Sequence, residues 1–205
     1  MIPARGAGVC ENPPGLGCSV GPMDSFAVFL RGINVGGINI KMAELRTALG
    51  ELPFEGVKTL LASGNVVLKS DLKAAVVKQR FEKCLRDSFG YDAWVVVLSG
   101  ARVAELVAAC PYPPDDKSIH SYITLSSDSA VLDELFDAGS ALGSAADGGV
   151  DLARIGPEAI AWLAPAGGTI DSPFSKITAK ARYKAATTTR NLRTMIKVQD
   201  AVAQL

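Results

Sequence analysis

The chain is poor in the residues that build metal centres and nucleophilic triads. One histidine, His120, stands in 205 residues, and the four cysteines Cys10, Cys18, Cys84 and Cys110 form no C-x-x-C pair. A zinc site would therefore lack its usual ligands, and reduced, unpaired thiols in a cytoplasmic protein are the simplest reading. Cys84 on a helix and Cys110 at a helix end read as small buried hydrophobes, and a lone histidine reads as a packing or surface residue. No apolar run approaches the ~20 residues of a membrane helix. G-x-S-x-G, the P-loop and G-x-G-x-x-G are all missing, so no cofactor is indicated and no reaction is spelled out. Net charge is zero, which argues against a generic polyanion binder.

Acid is also missing from one long stretch. Between Ser172 and Gln199 there is no Asp or Glu, while Lys176, Lys180, Arg182, Lys184, Arg190, Arg193 and Lys197 carry seven positive charges. Much of the compensating acid falls between Asp115 and Glu158. Two uses are open for the basic stretch. It can line a surface that contacts nucleic-acid phosphates, or it can pair with the acidic segment. No strand carries the interleaved aromatics of an RNA-recognition sheet. The adjacent Asp115 and Asp116, in a proline-rich linker, read as a solvated charge pair.

What is present is an ordinary globular composition, 48% hydrophobic and 20% charged. Residues 1–22 are rich in Gly and Pro and show no periodicity, which predicts a disordered extension ahead of residue 23. From Ser25 to Arg31 an apolar run predicts a buried strand. Asn39 is placed to cap a helix burying Met42, Leu45, Leu49 and Leu52. Val57–Ala62 and Val66–Ser70 read as a hairpin about Ser63, Gly64 and Asn65, with Gly and Asn at positive φ. A helix over Asp71–Phe89 with Leu72, Val76, Phe81, Leu85 and Phe89 on one side is stopped by Gly90. Ala93–Ser99 is a strand and Ala101–Ala109 a helix.

The proline-rich Cys110–Lys117 marks the candidate boundary between halves spanning 23–113 and 114–205. The second half repeats the order. Ser121–Ser126 is a strand, Ala130–Ala138 a helix, Asp151–Ile155 and Ala159–Ala164 a hairpin, Ser175–Tyr183 a helix and Ala185–Thr189 a strand. A closing helix runs over Leu192–Leu205, with Thr189 or Asn191 as its cap. The expected fold is α+β: two tandem ferredoxin-like (βαββαβ) halves with antiparallel sheets, plus a C-terminal helix.

This topology puts the turn after the first strand and the hairpin after the second at one end of one sheet. The turn holds Arg31, Gly32, Asn34, Gly36 and Gly37. Glycines permit close backbone approach, the following helix start favours an anion, and Arg31 adds formal charge. With Ser63, Gly64 and Asn65 beside them, these residues suit a phosphate or carboxylate. Arg190, beside the last helix, is a further anion contact. The alternative is that the glycines and asparagines only build tight turns.

The segments "LRGINVGGINIKMAELRTAL", "LASGNVVLKS" and "TTTRNLRTMIKV" together resemble the bacterial domain-of-unknown-function family 1697, over Met23 to Leu205. The matching positions are Arg31 to Gly37, Met42, Leu45, Ser63 to Asn65, Thr189, Arg190, Asn191 and Thr194. One departure is that Ile38 and Lys41 stand where many members carry a Lys after the glycine pair and a Pro before the Met. The resemblance implies an α+β protein of two ferredoxin-like halves and links the glycine-rich turn to the SGN hairpin. It implies no reaction. The function expected is binding of a small anionic ligand by Arg31, Gly32, Asn34, Gly36, Gly37, Ser63, Gly64, Asn65, Arg190 and Asn191. The alternatives are a nucleic-acid-binding module using the basic C-terminal third and a protein-interaction module without catalysis.

Overall fold

A computed structural model describes residues 23–31, 40–61, 63–90, 94–114, 117–169, 171–184 and 186–205. The expectations for residues 1–22, for the glycine-rich turn and the Asn39 cap within 32–39, and for Asp115 and Asp116 lie outside them. The described chain is α+β, with two four-stranded antiparallel sheets and seven α-helices among the described residues. Strands β1 (Asp24–Leu30), β2 (Glu55–Leu60), β3 (Asn65–Ser70) and β4 (Val95–Ser99) form the first sheet in the order β2-β3-β1-β4. Strands β5 (Ile119–Ser126), β6 (Leu152–Gly156), β7 (Ala159–Pro165) and β8 (Thr187–Asn191) form the second in the order β6-β7-β5-β8. The strands thus occupy the same relative positions in both sheets.

From Phe26 to Leu30 β1 is an unbroken apolar run because both its faces are covered there. Phe26, Val28 and Leu30 pack with Leu45 and Leu49 of α1 (Met42–Leu49) and Val77, Phe81 and Leu85 of α2 (Ala74–Phe89). Ala27 and Phe29 join a second core, shared with Ile123, Leu125, Ala159 and Ala161 of the second sheet. That shared core also takes in Val103 and Leu106 of α3 (Gly100–Ala109) and Leu192, Met195, Val198 and Val202 of α7 (Leu192–Ala203). α3 and α7 pack on each other, and α7 touches both β1 and β5, so these helices lie between the sheets. The outer face of the second sheet is covered by α4 (Ser129–Ser140) and α5 (Pro173–Thr178), around Leu132, Leu135, Trp162 and Phe174. The buried Trp162 indole donates to Thr124 Oγ1 at 3.0 Å, so its polar edge is satisfied.

Several expectations shift. α2 begins at Ala74, because the Ser70 hydroxyl accepts from Leu72 N–H and holds that stretch in a turn. Its buried face is consequently Val77, Phe81, Cys84 and Leu85, with Val76 only half-buried. Gly90, at φ 61°, ends it as expected. The single helix expected over Ser175–Tyr183 is two, α5 and α6 (Ala181–Lys184). The Thr178 hydroxyl bonds back to Ser175 O at the end of α5, a side-chain competitor to helix continuation. The last strand starts at Thr187 and runs to Asn191, with Arg190 inside it. Asn65 is not a turn residue at positive φ but the first residue of β3, and Gly64 takes the left-handed conformation at φ 73°.

Candidate functional site

The end of the first sheet where β1 finishes collects three separated pieces of sequence. Leu30 N–H donates to Gly64 O at 2.8 Å, and Arg31 N–H donates to Trp94 O at 3.2 Å. The β2–β3 hairpin is closed by the Asn65 amide, which donates to Leu60 O and to Ser63 Oγ, both at 3.0 Å. Asn65 itself is fully buried.

Arg190 reaches this end from the second sheet. Its Nε donates to Asn65 Oδ1 at 2.6 Å, and one terminal nitrogen donates to Leu30 O at 2.5 Å and Gly64 O at 3.2 Å. The other terminal nitrogen donates to Thr188 Oγ1 at 2.7 Å and Thr189 O at 2.9 Å. All five donors of the guanidinium are occupied. The Thr188 hydroxyl also donates to Leu30 O, at 3.3 Å. The guanidinium carbon lies 5.9 Å from the centre of the Phe29 ring, within range of a cation–π contact.

Every one of these acceptors is neutral. Arg190 is only 7% exposed and forms no ion pair among the described residues. Burial pulls its pKa down to about 10, so the group stays charged at neutral pH. A buried cation without a carboxylate projects its field toward the nearest solvent. Here the SGN hairpin and the end of β1 at Leu30 lie directly against it.

The other expected site residues fall around this centre. Ser63 is exposed and Arg31 half-buried. Gly32, Asn34, Gly36 and Gly37 lie outside the described residues. Asn191 caps α7, its side chain accepting from Arg193 N–H at 2.9 Å, which is the local role expected of it.

Two contributions were not read from the sequence. Trp94 is 49% exposed at this end, with the Lys78 ammonium 5.0 Å from its ring centre. Lys78 Nζ also donates to Val95 O and Glu82 accepts from Val95 N–H, so α2 covers the first residue of the edge strand β4. The signal was a tryptophan immediately ahead of the apolar run "VVVLS". Thr188, inside the segment "TTTRNLRTMIKV", ties Arg190 to β1.

The basic C-terminal stretch is not one continuous surface. Arg190 is internal, and exposed Arg182 pairs with Glu134 in α4, as an acid–base pairing within the second half would have it. Lys176, Lys180, Arg193 and Lys197 are exposed. The thiols of Cys84 and Cys110 are raised, chiefly by burial, which makes both poor nucleophiles. Among the described residues no helix is long and apolar enough to cross a membrane.

The family model for "Protein of unknown function (DUF1697)" matches residues 23–146. The chain belongs to this family. A conserved bacterial protein from Streptococcus pneumoniae, SP0830, has a similar solved structure with TM-score 0.73 at 22% identity, covering 88% of this chain and 99% of that one. That likeness shows a shared fold. An unknown protein from Galdieria sulphuraria aligns over 89% of this chain and 91% of its own at 9% identity, with a TM-score of 0.23. No curated protein matched the chain.

Proposed function

We propose that this DUF1697 protein binds a small phosphate- or carboxylate-bearing ligand at the end of the first sheet, and that its two sheets belong to duplicated ferredoxin-like halves. The matching strand orders support the duplication. The observation that carries the binding reading is Arg190, a buried positive charge with only neutral partners beneath the SGN hairpin. An anion outside the hairpin offsets a charge that the described residues leave uncompensated. Arg31 and Ser63 form the described part of the rim. Asn65 and Arg190 hold the site from beneath and do not touch the ligand.

The test is a thermal-shift titration with inorganic phosphate, sugar phosphates, nucleotides and short RNAs. A ligand at one hundred times its Kd stabilises by about 2.7 kcal/mol, a rise of several degrees in Tm for a chain of this size. Arg31→Ala should abolish that rise while moving the Tm of the free protein by less than about 2 °C. Unfolding of Arg31→Ala would make Arg31 structural and sink its assignment as a ligand contact. Binding of RNA alone, lost steeply with salt, would favour the nucleic-acid alternative.

A further inference from the structure

The second half holds a separate cleft of about 420 Å³, on the side where β5 begins and β7 ends. Its apolar walls come from Ile119, Val150, Leu163, Pro165 and Pro173. Ile119 is 38% exposed, one of three large apolar side chains left open among the described residues. The glycines Gly148, Gly149 and Gly168 contribute backbone to the walls. Gly143 O accepts from Val150 N–H at 2.9 Å, and Gly168 N–H donates to Pro165 O at 3.0 Å. The cleft is therefore preformed and mostly apolar, the usual character of a small-molecule site.

Among the described residues two ionisable side chains line it, and both are acids, Asp151 and Asp171. Asp151 is half-buried and held in place because one carboxylate oxygen accepts from Ala145 N–H at 3.1 Å. Among the described residues no Lys, Arg or His lines the walls. We infer that this cleft binds a small organic cation, a protonated amine on a compact apolar body, with the ammonium at Asp151 and Asp171 and the body against Ile119, Leu163 and Pro173. Charge complementarity selects this occupant: an anion would face two carboxylates, and a neutral apolar molecule would leave the half-buried Asp151, beside the exposed Asp171, without a counter-charge.

The experiment is a two-dimensional NMR titration of the full chain with phenethylamine, and with 2-phenylethanol as its neutral near-isostere. Phenethylamine should shift the resonances of residues 119, 148–151 and 163–173, and bind at least tenfold more tightly than the alcohol. In D151N/D171N that preference should disappear, while the affinity for the alcohol is kept. Asparagine still accepts from Ala145 N–H, so this variant should stay folded. Ile119→Ala, at an exposed position, should weaken both probes together. The inference is overturned if millimolar amine moves no resonance at these residues, if the alcohol binds as tightly, or if D151N/D171N keeps the preference.

Discussion

Arg190 shows how a residue that reads as surface charge becomes structural. Its position in a run of seven basic residues without acid suggested an external face. The local pattern says otherwise: in β8 it pairs with Ile123 of the central strand β5, and its burial matches that neighbour's. Arginine suits the place because its five donors are fixed in a plane and meet acceptors on three strands. Arg190→Met removes the charge and leaves Asn65 Oδ1 unpaired and the Leu30 and Gly64 carbonyls short of a donor. The expected loss is about 1–3 kcal/mol, or a Tm lower by several degrees. Arg190→Lys keeps the charge but cannot make the planar set of bonds, so it should fall between the two. Calorimetry on the three proteins decides the matter; a methionine variant as stable as the wild type would show that the bonds contribute nothing net.

At the scale of elements, sequence patterns located almost every helix and strand because each rests on local chemistry. β1 and β4 are apolar runs bounded by turn residues, and α7 repeats its buried positions at Leu192, Met195, Val198 and Val202 behind an asparagine cap. The misplacements arose where side chains compete with backbone, at Ser70 ahead of α2 and Thr178 at the end of α5. The candidate site was less legible. Topology could bring the SGN hairpin to the end of β1, but bonding between Asn65 and Arg190 spans 125 residues and two sheets, beyond the reach of periodicity. Close packing of α3 on α7 was equally hidden. A Cβ added at Gly100 would lie 2.3 Å from Val202 Cγ1, so the first residue of α3 must be small. Gly100→Ala should therefore destabilise by about 1–3 kcal/mol despite alanine's better helix propensity. A double-mutant cycle with Val202→Ala should recover much of that loss. Simple additivity would mean that the two helices separate without cost.

Across the whole molecule, the sheets are joined by the shared apolar core, by Arg190, and by a bridge from α3. Arg102 in α3 donates through Nε to Glu158 Oε1 at 2.5 Å and through a second nitrogen to Oε2 at 3.1 Å. Glu158 sits in the β6–β7 turn, so this fork ties the helix after the first sheet to the second sheet. Burial alone would raise the Glu158 carboxyl. The hydrogen bonds from Arg102 and from its own backbone, with the nearby charges of Arg102 and Arg154, outweigh that and hold its pKa below the ordinary value of 4.5. A carboxyl with a depressed folded-state pKa adds stability that is complete above its unfolded pKa and is lost as pH falls through the folded one. The bridge should thus contribute fully at neutral pH and fade below about pH 4.5, the unfolded reference. Because both side chains are partly exposed, its worth is about 1 kcal/mol. Glu158→Gln preserves shape and one acceptor for Arg102 but removes the charge. Urea unfolding from pH 7 to pH 3 should show the variant less stable at pH 7 and the difference closing through the acid range. Curves that stay parallel down to pH 3 would place the pH dependence elsewhere and leave the shared core and Arg190 to hold the sheets together.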